Sequence, residues 1–426
     1  MQSSVHETEQ LLSAVLIQIG VIILAARGAG AAAVALRQPR AVGEIAAGLL
    51  LGPSFFGYFL PEASALLFPA ATSQPVMILS QIGLLLLMFQ IGSDFEFGHL
   101  GDRTTRKATY MVAAASIAAP LATGLALGWI SAPMLAPDVN RVAYSLFVGV
   151  ALAITAVPIL GRILREYGLT RHPIGVISIS AAAGNDVIGW VLLAGIAAFA
   201  SAAFSPAAAA GQIAALAGLA LALKFLVAPL VGLLLKRFPI RDGAVPGPLM
   251  AIVIAAVFVF GVATQTIGVF TIFGGFLFGL VFHPYTEFVE AWRRQVGQFV
   301  LVFFLPIFFT YTGLRTNLLG LSGAADWAWL LIFLAAAVLS KVLPVYAAAR
   351  ASGLAHAQSS IIASLMNTRA LMELIVLNIG YSLGVIPQDV FTMLVFMAIA
   401  TTIMTGPLLQ YFLPRAGLPA ERQQEG

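Results

Sequence analysis

Long apolar stretches alternate with short polar connections along the whole 426-residue chain. A helix needs about 20 consecutive apolar residues to cross the hydrocarbon core of a bilayer. About thirteen such runs can be counted, near 11–36, 41–60, 75–97, 107–130, 141–167, 172–200, 211–237, 247–265, 268–282, 295–314, 327–350, 355–383 and 387–413. The pattern predicts an all-α polytopic membrane protein. Two runs are interrupted near their middles, the fifth by Thr155 and Pro158 and the twelfth by Asn367, Thr368 and Arg369. Backbone that leaves helical geometry inside a membrane must line a cavity or be buried in protein.

The interruptions lie seven runs apart, and other features share that spacing. Ile45 to Gly52 (IAAGLLLG) in the second run echoes Ile272 to Gly279 (IFGGFLFG) in the ninth. The third and tenth runs both go from Gln-x-Gly (Gln81, Gly83; Gln295, Gly297) to a Phe-rich end with Gly92 or Gly313. Elements seven crossings apart point in opposite directions, so the pattern predicts two inverted-topology repeats. Matching interrupted helices in such repeats are the best sequence pointer to a transporter's binding site.

Charge sets the orientation. Sixteen of the 22 Lys and Arg fall on alternating connections that share one side, whereas the other side has only Arg141 and Arg315. Positive connections stay cytoplasmic, which places the N-terminus outside and the C-terminus inside, as an odd count requires. The net charge of +4 therefore reflects topology, and no nucleic-acid partner is expected. Hydrophobic residues make up 60% of the chain and charged residues 9%, against about 25% charged in a soluble domain. The absence of Cys excludes disulfides, thiol catalysis and thiolate metal sites. The polar, acidic start (His6, Glu7, Glu9) lacks the basic region of a cleavable signal, and residues 415–426 form only a short cytoplasmic tail.

Few charges remain inside the apolar runs, and Asp186 stands out. It lies in SAAAGNDVIGWVLLAG, with no other charge for some fourteen residues upstream. An ionised Asp at the centre of a membrane helix costs roughly 2.5–3.5 kcal/mol on insertion scales, so it faces a cavity, a partner or a transported ion. A carboxyl in such a place binds either a proton or a small cation, and that competition coupled to alternating access is antiport. A carboxylate that only locks helices together is the plainer alternative. Asn185 offers an oxygen ligand, a means of orienting Asp186, or an interhelical hydrogen bond. Thr155 offers a hydroxyl and locally freed carbonyls that suit a hard alkali cation.

Lys341 lies well inside AAAVLSKVLPVY, where it offsets Asp186, holds the polar ends of the broken helices, or snorkels to an interface. Arg369 and Glu373 are spaced i, i+4 and read as a mutually neutralising structural pair. Glu44 follows Arg40 by four residues and reads likewise. Lys224 and Arg27 have no evident partner. His99, His172, His283 and His356 fall on or near cytoplasmic connections and read as solvated histidines.

Five stretches together are familiar: QPRAVGEIAAGLLLGP from Gln38, GVALAITAVPILGRILREYGL from Gly149, SAAAGNDVIGWVLLA from Ser180, LPIFFTYTGLRTNL from Leu305 and LMNTRALMELIVLNIG from Leu365. On these motifs the chain resembles the monovalent cation/proton antiporter superfamily, in the branch of plant cation/proton exchangers and bacterial glutathione-gated potassium efflux systems. The resemblance implies a sodium/proton antiporter-like fold in which discontinuous helices cross. It implies a scaffold and dimerisation domain from runs 1–3 and 8–10 (about 11–97 and 247–314). Runs 4–6 and 11–13 (about 107–200 and 327–413) become the ion-translocating core, with 211–237 as the connecting helix.

By motif, Asp186 takes the place of the essential cation- and proton-binding aspartate. Asn185 takes the preceding position, which is Asp in many charge-moving relatives. Thr155 matches the threonine of the unwound helix, and Lys341 the basic residue facing the site. Arg369, Glu373 and Thr368 are expected to support it. Ala156 stands where some sodium/proton relatives carry an acidic ligand, and Asn185 deprives Lys341 of the partner it has in two-aspartate members. The large cytosolic nucleotide-binding domain of the efflux systems has no counterpart here.

The expected function is K+ or Na+ exchange for H+, electroneutral at one for one, with the alkali cation at Asp186 and Thr155. No cofactor is expected beyond the transported ions. A homodimer in the bacterial inner membrane is expected. The rivals are a sodium-coupled organic anion transporter of the same architecture and a cation channel. An intramembrane aspartyl hydrolase would need a second facing carboxylate in a matching motif, which the sequence lacks.

Overall fold

The computed structural model describes residues 2–36, 38–94, 103–155, 157–170, 172–200, 206–268, 270–321, 323–369 and 371–419. Helix α1 spans Gln2–Ala35, α2 Arg40–Leu50, α3 Phe56–Phe59, α4 Pro61–Leu67, α5 Ser73–Ser93 and α6 Arg103–Leu135. Next come α7 Arg141–Ala153, α8 Val157–Glu166, α9 Pro173–Ala200, α10 Pro206–Ala222, α11 Ala228–Arg237, α12 Gly247–Thr266 and α13 Thr271–Gly279. The chain closes with α14 Thr286–Trp292, α15 Leu305–Leu314, α16 Ala324–Ala351, α17 His356–Met366, α18 Leu371–Ser382 and α19 Gln388–Phe412. No β-strand forms among the described residues, apart from a single bridge between Arg241 and Ala244.

Ten of the described helical segments are long and apolar enough to cross a membrane, and two shorter apolar helices lie at Arg141–Ala153 and Thr271–Phe282. Leu24, Leu66, Phe225, Leu331 and Leu343 stand more than half exposed, a placement that water penalises and lipid does not. The protein is an integral membrane protein.

The apolar run at 41–60 is not one helix. Helix α2 stops at Leu50, and the short helices α3 and α4 follow. Pro53 explains the stop, because the residue before a proline is pushed out of helical geometry. The run at 211–237 is divided too, by a π-helical turn at Leu223–Val227. Two further π turns, Arg293–Gly297 and Val300–Phe304, join α14 to α15.

The chain divides into two compact units. The first comprises Met1–Ala29, Glu44–Glu96 and Phe204–Arg315. Its core includes Val15, Ile19 and Ile22 of α1, Val76 of α5 and Ile307 of α15. Glycines bring its helices into backbone contact. A Cβ on Gly313 would lie 2.0 Å from the Gly48 carbonyl oxygen, and one on Gly52 2.4 Å from that of Gly313. The same relation joins α5 and α13, where a Cβ on Gly92 would meet the Phe276 oxygen at 2.2 Å and one on Gly279 the Phe89 oxygen at 2.2 Å. Thus α2 packs on α15 as α13 packs on α5. The exchange follows the two repeats read from IAAGLLLG and IFGGFLFG.

The second unit comprises Gly30–Gly43, Phe97–Ala203 and Thr316–Gly426. Helices α6 and α7 also meet on glycine, with a Cβ on Gly124 placed 2.7 Å from the Val148 oxygen. Both interruptions foreseen in the sequence fall in this unit. One separates α7 from α8 and the other α17 from α18.

Candidate functional site

The break after α7 leaves the last carbonyls of that helix without intrahelical donors, as at any helix C-terminus. Pro158 adds one more, since it has no N–H to give the Ile154 carbonyl four residues back. Two cations from other helices take these oxygens. Lys341 of α16 donates to the Ala153 carbonyl and more distantly, at 3.5 Å, to that of Ile154. Arg369, in the break between α17 and α18, donates to the Ala151 carbonyl at 3.0 Å and to the Ala337 carbonyl of α16 at 3.2 Å. Positive charge at a helix C-terminus is also favoured by the helix dipole. Both side chains are fully buried.

Glu373 lies 3.8 Å from Arg369, in the first turn of α18, where the dipole favours a negative charge. The pair read from the sequence is present, and Nη1 and Nη2 of Arg369 also donate to helix carbonyls. To the pairing read from the sequence the structure adds a second duty for Arg369. Arg369 pins the end of α7, and Glu373 balances the charge. Of the roles open to Lys341, snorkelling is excluded by its burial, and holding the end of the broken helix is what its hydrogen bonds do.

Helix α9 lies against this break. Gly189 permits the approach: a Cβ there would come within 2.9 Å of the Ile154 side chain. One turn earlier, Asn185 donates from Nδ2 to the Thr155 hydroxyl at 3.3 Å and to the Ser116 hydroxyl of α6 at 2.8 Å. Asp186 is within electrostatic reach of Lys341. Asn185 and Asp186 are each only 2% exposed. Yet Oδ1 of Asn185 and Oδ1 of Asp186 have no hydrogen-bond partner among the described residues. Two buried oxygens on α9 without a partner among the described residues, within reach of an ammonium already bonded to carbonyls, form an arrangement that can accept a proton or a small cation.

The structure therefore gathers Thr155, Asn185, Asp186, Lys341, Arg369 and Glu373 around one break. Thr368 is buried nearby in sequence but bonds the Thr405 hydroxyl of α19 at 3.1 Å. Asn367 is fully buried with neither side-chain polar atom bonded. Ala156, His99 and Arg37 lie outside the described residues. Glu44 is buried in α2 and Lys224 is exposed above the Phe225 ring at 5.4 Å; neither is among the gathered groups. His172 accepts from the Ile174 N–H at the start of α9 at 3.3 Å, and burial pulls its pKa below the usual value. His356 meets the Tyr346 hydroxyl at 2.8 Å. Ser116 was not anticipated, because nothing in AAASIAA marks it off from other small-residue helix positions.

The sequence model of the family described as "Sodium/hydrogen exchanger, transmembrane" matches residues 20–414. The Na+/H+ antiporter NhaS4 of Synechocystis sp. is 35% identical over 405 residues, covering 94% of this chain and 97% of its own. The K+/H+ antiporter 1 of Saccharomyces cerevisiae is 27% identical over 389 residues, covering 89% of this chain and 45% of its own, so the chain spans less than half of that protein. In fold, the chain is similar to the sodium proton antiporter MjNhaP1 of Methanocaldococcus jannaschii, with a TM-score of 0.68 at 15% identity, covering 93% and 96% of the two chains. The chain belongs to the sodium/hydrogen exchanger family, the membrane antiporters that exchange a monovalent cation for a proton.

Proposed function

We propose that K+ or Na+ and H+ compete for Asp186, and that the second unit, which carries the gathered residues, is the moving ion-translocating core. The first unit is then the scaffold and the dimerisation surface of a homodimer, with 211–237 as the connecting helix. The loop charges favour an orientation with the N-terminus outside, and the membrane in this reading is a bacterial inner membrane. The observation that carries the reading is the pair of buried, unmet oxygens at Asn185 and Asp186. A hard alkali cation takes oxygen ligands, and the Thr155 hydroxyl lies within bonding distance of Asn185.

Charge counting supports one-for-one exchange. Taken as ionised, Lys341 and Arg369 balance Asp186 and Glu373. Either a proton or an alkali cation on Asp186 then makes the group +1, so both loaded forms cross with the same charge. The count requires that Lys341, which donates to the Ala153 and Ile154 carbonyls, keep one protonation state through the cycle.

The test is dissipation of a preset pH gradient by K+, Na+ and Li+ in proteoliposomes, with wild type beside Asp186→Asn. Wild-type exchange that Asp186→Asn abolishes, unaffected by an imposed voltage, is expected. Equal exchange by both proteins would remove Asp186 from the mechanism, and voltage-driven proton flux would overturn the stoichiometry.

A further inference from the structure

Asn185 keeps its oxygen free for an ion only if its amide is held the right way round, and the hydrogen bonds of Ser116 decide this. The Ser116 hydroxyl donates its one hydrogen to the Ala113 carbonyl at 3.0 Å. What it then offers Asn185, 2.8 Å away, is a lone pair. A lone pair can face an amide N–H but not an amide oxygen. The second N–H of Asn185 goes to the Thr155 hydroxyl. Both donors are thereby spent, and Oδ1 is the atom left without a partner.

The backbone around Ser116 fits the same purpose. Pro120 lies inside α6, and its missing N–H deprives the Ser116 carbonyl of its helical donor. The helix is thus loosened one turn before the proline, at the residue that meets Asn185. Gly124 then brings α6 onto the Val148 carbonyl of α7, which holds Ser116 in register with the break. The Ser116 side chain is fully buried, so water does not compete for its lone pair.

We infer that Ser116 is a positioning residue that locks the Asn185 amide with its oxygen toward the ion, and so sets cation affinity without touching the proton site. This rests on the reading of Asp186 and Asn185 as the binding site. Without the lock, the amide can turn and present N–H groups to a cation, which repels it. A proton bound to Asp186 is indifferent to that turn.

The test measures the cation and proton dependence of exchange in proteoliposomes for wild type, Ser116→Ala, Ser116→Cys and Ser116→Thr, with Asp186→Asn beside them. Ser116→Ala is expected to raise the cation KM by about 2- to 13-fold, the ratio carried by one net hydrogen bond. Maximal rate and apparent proton affinity should stay within about twofold. Ser116→Thr keeps the hydroxyl and should restore the KM. Ser116→Cys, a weaker acceptor of similar shape, should fall between, and it reads the effect if the alanine variant fails to assemble. In an Asn185→Asp background the side chain has no N–H to misdirect, so Ser116→Ala should change KM less than twofold. An unchanged cation KM in Ser116→Ala or Ser116→Cys, with Asp186→Asn inactive, overturns the role of Ser116 alone. Full activity of Asp186→Asn would instead overturn the site on which it depends.

Discussion

Replacing Gly313 by alanine puts the packing of the first unit to a direct test. The added Cβ would lie 2.0 Å from the Gly48 oxygen and 2.3 Å from its carbon, where ordinary contact begins at 3.4 Å. Helices α2 and α15 must therefore separate by about 1.4 Å along that contact. The obstacle is backbone, so no side-chain rotation relieves it, and the upper end of the usual 1–3 kcal/mol for overpacking applies. Alanine regains about 1 kcal/mol of helix propensity, leaving a net loss of about 2 kcal/mol, or roughly 30-fold in the folded ratio at about 1.4 kcal/mol per tenfold. Gly20→Ala is the matched control: it lies in α1 with nothing within 4 Å of the new Cβ, and should be neutral or stabilising by up to about 1 kcal/mol. The assay is the fraction of detergent-solubilised protein that stays monodisperse after heating. Gly313→Ala should fail at a lower temperature than wild type, and Gly92→Ala, its counterpart on α5, whose Cβ would meet the Phe276 oxygen at 2.2 Å, should behave the same way. If Gly313→Ala survives to the temperature of Gly20→Ala, the backbone contact between α2 and α15 does not exist as described.

Other perturbations bear on the site itself. Removing Lys341 as Lys341→Met strips donors from the end of α7, at about 1–3 kcal/mol for a buried carbonyl left unmet; thermal stability and transport should both fall, whereas Lys341→Arg should keep more of each. Arg369→Met leaves Glu373 buried without its cation, which costs about 3–5 kcal/mol; the double variant Arg369→Met/Glu373→Leu should melt higher than Arg369→Met, and equal melting would show that the pairing contributes nothing. His172 accepts from Ile174 as a neutral ring, and its folded pKa is depressed, so its contribution is complete above the unfolded value of about 6.5 and is lost as pH falls through the lowered folded value. Wild type should accordingly lose more thermal stability between pH 7 and pH 5 than His172→Asn, whose side-chain oxygen accepts at any pH; parallel losses would remove His172 as the cause.

The two helix breaks are legible in the sequence because polar residues and a proline interrupt otherwise apolar runs, and nothing but a cavity or a partner justifies that in a membrane. Asp186 is legible for the same reason. The glycine echoes were a weaker signal, since Gly-xxx-Gly spacing is common in membrane helices, and their meaning emerged from which backbone each glycine admits. The duties of Lys341 and Arg369 were hidden because their acceptors are main-chain carbonyls, which leave no mark on the residue types at Ala151, Ala153 and Ile154. Ser116 was hidden for a related reason: one hydroxyl among many small residues acquires importance only through the direction of its hydrogen. The early end of α2 could have been read from Gly52-Pro53, but uninterrupted hydrophobicity through Leu60 masked it.

Filling the end of α7 with the protein's own cations also has a kinetic consequence. A bare cluster of inward carbonyls beside a carboxylate would be a deep well for an alkali ion, and a deep well is emptied slowly. With Lys341 and Arg369 seated on Ala153 and Ala151, an ion at the proposed site is left with a shallow one. At a millimolar dissociation constant and an entry rate near the diffusional ceiling of about 10^8–10^9 M−1 s−1, an ion departs about 10^5–10^6 times per second. That is a residence of about 1–10 microseconds, shorter than helix-bundle rearrangement at the millisecond end of its range. Against a rearrangement on the millisecond scale, the residence of a cation at the proposed site does not limit the cycle, and turnover is set by the motion of the protein.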